Sequence, residues 1–402
     1  GLSLWLLVGA AMHAVAEPVP DGEAGLLANT RQLTFEGKRA GEGYFSADGK
    51  RMIFQSEREG GNPFYQIYLL DLETGDVERV SPGVGKTTCA WVHPEGGRVL
   101  YASTHEDPAA GTKMQAEREF RASGKERRYA WDYDEHFDIY AQALDGGEPV
   151  NLTNTAGYDA EGAYSPDGTQ IVFASNRRAY SGEMTADEAA MFEHDKSFMM
   201  DLYLMDADGG DVRRMTEAPG YDGGPFFSAD GKRITWRRFS RDGAQAEIYT
   251  MDLATGEEKQ ITRTGVMSWA PFFHPGGDYL IFASNREGFA NFELFLVDAE
   301  GLREPVRVTY TDGFDGLPVF SPDGTRLAWT SKRSSNGTSQ IFVADWNDAE
   351  ARRLLDLEGG AGSVNRDVPV AELTATEREI RAADARLHVE RLASDEMEGR
   401  LT

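Results

Sequence analysis

Three aspartates recur in one register. Asp159, Asp222 and Asp315 each follow an aromatic residue, in Tyr158-Asp-Ala-Glu161, Tyr221-Asp-Gly-Gly224 and Phe314-Asp-Gly316. Arg39-Ala-Gly-Glu42, Lys86-Thr-Thr-Cys89 and Met267-Ser-Trp269 hold the same place in three further copies. If the six segments converge, Glu42, Asp159, Glu161, Asp222 and Asp315 gather negative potential, with Lys86 and Trp269 beside them. Such a site attracts a cation or the amino group of a peptide. The alternative for each aspartate is local: its carboxylate accepts the backbone N–H groups of its own turn.

Histidines beside carboxylates form a second candidate. Asp134-Glu-His136 and Glu193-His-Asp195 lie in two long insertions, with His105-Glu-Asp107 at the root of the first. Imidazole and carboxylate are competent metal ligands, but no spacing matches a recognised ligand set such as H-E-x-x-H, and solvated loop residues are the plainer reading. No G-x-S-x-G elbow, phosphate-binding loop or dinucleotide fingerprint occurs, so no residue is assigned a catalytic role.

The elements that must position these residues repeat. Phe45-Ser-Ala-Asp-Gly49, Val92-His-Pro-Glu-Gly96, Tyr164-Ser-Pro-Asp-Gly168, Phe227-Ser-Ala-Asp-Gly231, Phe273-His-Pro-Gly-Gly277 and Phe320-Ser-Pro-Asp-Gly324 carry one turn chemistry. Each is followed by an apolar strand, a strand headed by a pair such as Ile67-Tyr68, and a closing strand such as Gln260-Ile-Thr262 or Arg353-Leu-Leu355. Four short strands every ~45 residues describe a β-propeller blade. The chain is therefore expected to be all-β, a six-bladed propeller over residues 31–355. A seventh closing copy, Arg31-Gln-Leu-Thr34, is expected at the outer edge of the last blade, beside or instead of Arg353–Leu355. Strand alternation puts the insertions near Thr104–Phe137 and Asn176–Met200 on the face that also carries the blade-to-blade links.

Composition sets outer bounds. The 402 residues carry 67 acidic and 41 basic side chains, a formal charge of −26. That balance excludes a nucleic-acid partner and docking on an anionic membrane. One cysteine, Cys89, excludes an intramolecular disulfide framework.

The repeat S-P-D-G, I-Y-x-x-D and R-x-L-T resembles the TolB-type propeller, a fold that serves as a binding platform and as an accessory domain of peptidases. At the start, the apolar run Leu2–Ala11 followed by Ala14-Val-Ala16 reads as a signal-peptide remnant over residues 1–16, which predicts an exported, periplasmic or secreted protein. At the end, a Gly-rich linker spans 356–373. Residues 374–402 form a helical pattern whose Leu392-Ala-Ser394 and Gly399-Arg400 resemble the opening of metallopeptidase family 28, the zinc aminopeptidases. That resemblance implies a truncated α/β peptidase domain, with zinc and its ligands beyond this sequence. Two functions follow. One is a non-catalytic propeller that gates substrates or docks partners for an exported aminopeptidase. The other is a TolB-like periplasmic protein-binding scaffold without enzymatic activity. Both predict a peptide or protein ligand at the channel mouth and insertion face.

Overall fold

In the computed structural model, residues 22–357 are described, apart from 126–132, 183, 197–198 and 219. The signal-peptide remnant, most of the linker and the peptidase-like helix lie outside the described residues. The 24 strands form six four-stranded sheets, all with antiparallel neighbours, arranged as the blades of a ring.

Local chemistry repeats with the blades. In the turns after the inner strands, the hydroxyls of Ser46, Ser165, Ser228 and Ser321 donate to Asp48, Asp167, Asp230 and Asp323 at 2.5–2.6 Å. His93 and His274 replace that serine, and their Nδ1 atoms accept from the N–H groups of Glu95 and Gly276. They cap turns, as their place in the repeat implies. The threonine of R-x-L-T has an equally local job. Thr153, Thr216, Thr262 and Thr309 each accept an N–H near the start of the third strand of their own blade, from Ile139, Leu202, Ile248 and Leu294. The core of each blade is a cross-strand aromatic pair in register: Phe54–Tyr68, Tyr101–Tyr140, Phe173–Tyr203, Trp236–Tyr249, Phe282–Phe295 and Trp329–Phe342. Their ring centroids lie 5.7–6.3 Å apart. Directly opposed aromatics stabilise an antiparallel pair beyond the area they bury.

Blade six closes the ring with the other end of the chain. Leu27–Gln32 pairs antiparallel with Gln340–Trp346, and Thr34 Oγ1 accepts the Ile341 N–H as the repeat threonine does elsewhere. Arg353–Leu355 is not a fourth strand. Asp348–Leu354 is a helix capped by Asn347, whose Oδ1 accepts the Glu350 N–H, with acidic residues in its first turn and Arg352 and Arg353 in its last. Those end charges suit the helix dipole, and the edge a strand would need is already taken by Leu27–Gln32.

Two insertions leave blades two and three between their second and third strands. Helix α1 (Ala110–Ala122) belongs to the first, and helices α2 (Arg177–Tyr180) and α3 (Ala186–His194) to the second. By strand alternation both emerge on the face of the blade-to-blade links.

Candidate functional site

The six segments that open the sequence reading are the first halves of the inner strands rather than connecting links. Arg39–Phe45, Thr87–Val92, Asp159–Tyr164, Asp222–Phe227, Ser268–Phe273 and Asp315–Phe320 surround the axis. Every one of them has a β-bulge at the same point. The bulge residue has positive φ in all six blades: Glu42 (51°), Cys89 (49°), Glu161 (57°), Gly224 (61°), Ala270 (51°) and Leu317 (53°). Left-handed backbone is uncommon for non-glycine residues and costs them stability. Six in a ring re-aim the five side chains they carry to one level of the channel.

Two residues nearer the turn face, the channel is stoppered. Tyr44 and Phe226 come from opposite blades with centroids 5.4 Å apart, and Trp91 and Phe272 from another opposite pair at 6.4 Å. Tyr44–Trp91, Trp91–Phe226 and Phe226–Phe272 complete the cluster at 4.8, 5.6 and 5.3 Å. Nothing of side-chain size threads through such a plug. The axis is a basin floored by aromatic rings and opening on the face that carries the insertions.

The polar bulge residues lie on one side, where Tyr221 and Arg237 of blade four join them. Glu42, Cys89 and Glu161 come from three consecutive blades, facing Gly224, Ala270 and Leu317. Tyr44 Oη donates to Glu42 Oε1 at 3.0 Å. Burial raises the Glu42 carboxyl to about 7, against the lowering effect of hydrogen bonds from Cys89 and Tyr44 and with the help of nearby Glu161. Burial, and then the charge of Glu42, push the Cys89 thiol well up, so Cys89 is a protonated donor and not a nucleophile. Glu161 takes bonds from Tyr221 Oη, the Gly224 N–H and Arg237 Nη2, the last at 2.8 Å. A Cβ at Gly224 would lie 2.3 Å from Arg237 Nη1, so a larger residue there would displace the guanidinium that holds Glu161.

The other candidates are held elsewhere. Asp159, Asp222 and Asp315 are at most 1% exposed. Each is paired with an arginine of its own blade: Asp159 with Arg177 at 2.9 Å, Asp222 with Arg238 at 2.7 Å and Asp315 with Arg333 at 2.6 Å. Burial raises all three carboxyls, and the arginines oppose that. Their charge is neutralised inside the blades, so they do not build the negative mouth expected of them. Lys86 turns to the first insertion, 3.6 Å from Asp134, with its ammonium over the Phe64 ring. Trp269 packs in the core against Phe292 and Phe314. Of the seven expected residues, the structure brings Glu42 and Glu161 together and distributes the rest.

The histidine clusters are brought together in part. Asp107, Asp134 and His136 place one ligand atom each within 4.8 Å of the others. Lys113 already bridges the two aspartates, with Nζ 2.7 Å from Asp107 and 2.8 Å from Asp134, and supplies the positive charge at that point.

Residues 189–370 match the family described as the TolB beta propeller domain. The fold is a TolB-type six-bladed β-propeller. A Tol-Pal system protein TolB from Francisella tularensis subsp. mediasiatica is 28% identical over 245 residues, covering 60% of this chain and 51% of that protein. An uncharacterized protein of Agrobacterium fabrum is 29% identical over 171 residues, covering 41% of this chain and 56% of its own. The chain thus spans about half the length of the curated relatives it matches. A solved TolB-type structure from Agrobacterium tumefaciens superposes with a TM-score of 0.51 at 22% identity, covering 77% of this propeller chain and 90% of its own, which shows the fold.

Proposed function

We propose that this propeller is a non-catalytic protein-binding platform of an exported envelope protein, and that its channel basin receives a cationic side chain of an extended partner segment. The observation that carries the reading is the closed, one-sided basin: aromatic floor, three polar bulge residues, and an opening flanked by both insertions. A stoppered channel can hold the tip of a ligand but cannot pass it. Glu42 lies near the balance point between neutral and ionised at pH 7 and gains a stabilised charge when an ammonium or guanidinium group arrives. The similarity to Tol-Pal system proteins supports a protein partner and a periplasmic location. No helix among the described residues is long and apolar enough to cross a membrane.

The peptidase reading, with its zinc, rests on residues 380–402 alone and places catalysis outside the propeller. A gene sequence running on to an H-x-D and an E-E pair would support it, and the basin would then serve substrate or partner docking for that domain.

The experiment is selection of binders from a random peptide library on the immobilised propeller. The expected binders carry Lys or Arg and lose affinity at least about tenfold on Glu42→Gln or Glu161→Gln. They keep it on Asp48→Asn, in a turn on the opposite face. Binders indifferent to both basin substitutions would refute the assignment.

A further inference from the structure

On the turn face, opposite the basin, neighbouring blades are tied by side chains that reach the turn glycine of the next blade. Between blades four and five the tie is Arg233, whose Nη2 donates to the Gly277 carbonyl at 2.7 Å. Between blades six and one it is Arg326, whose Nη2 donates to the Gly49 carbonyl at 2.9 Å. Between blades two and three, and between five and six, a histidine stands in for the arginine. His93 Nε2 lies 3.2 Å from the Gly168 carbonyl oxygen. His274 Nε2 faces Gly324, where a Cβ would come within 2.7 Å of it. The two histidines are 3% and 6% exposed.

Arginine makes such a tie with a charge that does not titrate. Histidine makes it with a ring whose other nitrogen is already committed. His93 Nδ1 accepts the Glu95 N–H at 3.2 Å, and His274 Nδ1 accepts the Gly276 N–H at 3.1 Å. A backbone N–H can only donate, so Nδ1 carries no hydrogen and the neutral ring holds its proton on Nε2. An imidazolium has hydrogens on both nitrogens and would set Nδ1–H against the N–H it now accepts. The ring would have to turn, giving up the cap of its own blade and the glycine of the next one together. The surrounding charges differ between the two sites. His93 has Arg98 Nη2 at 3.0 Å, Glu95 on the same turn and the edge-on ring of Tyr164 from blade three. His274 has Asp348 Oδ1 at 3.6 Å, with Arg352 and Asp278 nearby, and packs between the rings of Tyr279 and Phe320. Burial, and then the charge of Arg98, hold His93 below the ordinary histidine value. Burial does the same for His274, against the opposing pull of Asp348.

We propose that His93 and His274 are acid-sensitive staples of the ring: neutral, they tie blade two to three and blade five to six, and protonated, they release both junctions. Blades two and five stand opposite each other, so the two releases divide the ring into halves of three blades. One division passes between Cys89 of blade two and Glu161 of blade three, the polar side of the basin. The device stands whatever the basin binds. Both histidines titrate lower in the folded chain than in the unfolded one, so their contribution to stability is complete above the ordinary value of about 6.5 and is lost as pH falls below it.

Thermal unfolding between pH 7.5 and 5 tests this against a variant that carries the repeat's own turn in both blades, His93→Ser with Glu95→Asp and His274→Ser with Gly276→Asp. These changes restore the serine–aspartate cap of the other four blades, and comparison at each pH cancels the titrating groups that both chains share. The wild type should lose a few degrees relative to the variant between pH 7 and 5, with a constant difference above pH 7. Histidine-ring NMR on the unsubstituted chain is the second measurement. Two of the seven rings should be neutral Nε2–H tautomers that titrate below the ordinary histidine value. A difference in unfolding temperature that does not change with pH would overturn the proposal. So would histidine rings that all titrate at or above the ordinary value, and that result decides if the variant fails to fold.

Discussion

Two layers of carboxylates lie two register positions apart on the inner strands, meeting on one strand only, Asp159–Tyr164, and behave in opposite ways. Asp159, Asp222 and Asp315 stand at the strand starts, each neutralised by an arginine of its own blade. Glu42 and Glu161 stand at the bulges and face the axis, where one arginine, Arg237, serves Glu161 and Glu42 relies on hydroxyl and thiol donors. The first layer is structural: it takes the charge that repetition supplies and locks strand to strand. The second lines the axis, with Glu42 only 8% exposed. In a repeat protein, recurrence in register therefore marks a shared structural task, and departure from the repeat marks the place where the ring has been specialised. Glu42, Cys89 and Glu161 differ from Gly224, Ala270 and Leu317 at one register position.

Breaking the structural layer should cost most. Arg333 holds Asp315 at 2.6 Å and Glu23 of the N-terminal segment at 3.1 Å, so Arg333→Ala strands two buried carboxylates and loosens the ring closure. A loss of about 3–5 kcal/mol in denaturant unfolding is expected. Gly224→Ala comes next. Its Cβ would collide with Arg237, and the positive φ adds strain, for a loss of about 2 kcal/mol with the Glu161–Arg237 contact disturbed.

The binding layer is sharpened by pH. The folded-state pKa of Glu42 is raised to about 7, so the folded chain holds its proton where the unfolded chain has released it. Stability then falls as pH rises from the ordinary glutamate range to about 7, and levels off above. Glu42→Gln should therefore be more stable than wild type at pH 8, by something on the order of 2 kcal/mol, and nearly equal at pH 4, as thermal unfolding would record. Its neighbours in this cluster are Cys89, Tyr44, Glu161 and Arg237. The smallest effect is expected at the apolar side of the ring. Ala270→Gly relieves a left-handed alanine and should shift stability upward by about 0.5–1 kcal/mol, without touching the basin's polar half.

Much of the fold was legible because the turn, the aromatic pair and the threonine recur with the blades. The closing strand near Arg31 was legible for the same reason, as a copy without a blade of its own. Arg353–Leu355 misled because three residues of a degenerate pattern outweighed the Asn347 cap and the helical charge order around it. At the site, the eye went to Asp159, Asp222 and Asp315, whose recurrence signalled structure. The signal for the basin was present in Gly224: a glycine in one copy marks a left-handed position in all six, which would have singled out Glu42, Cys89 and Glu161 together. The arginine partners were not legible, because they come from different places: Arg238 from the neighbouring strand opposite Asp222, Arg177 from a short helix and Arg333 from the segment just past the strand end. The aromatic plug was not legible either, since it joins opposite blades far apart in sequence.

The central claim is that a cationic side chain docks beside Glu42 in the basin. Proton exchange on binding measures this most directly. An N-acetylated lysine-containing peptide from the selection should be titrated into the propeller at pH 7 in two buffers of different ionisation enthalpy. With Glu42 near half-protonation, binding should release roughly half a proton per peptide, and Glu42→Gln should release none. No release from the wild type, or the same release from Glu42→Gln, would contradict the account.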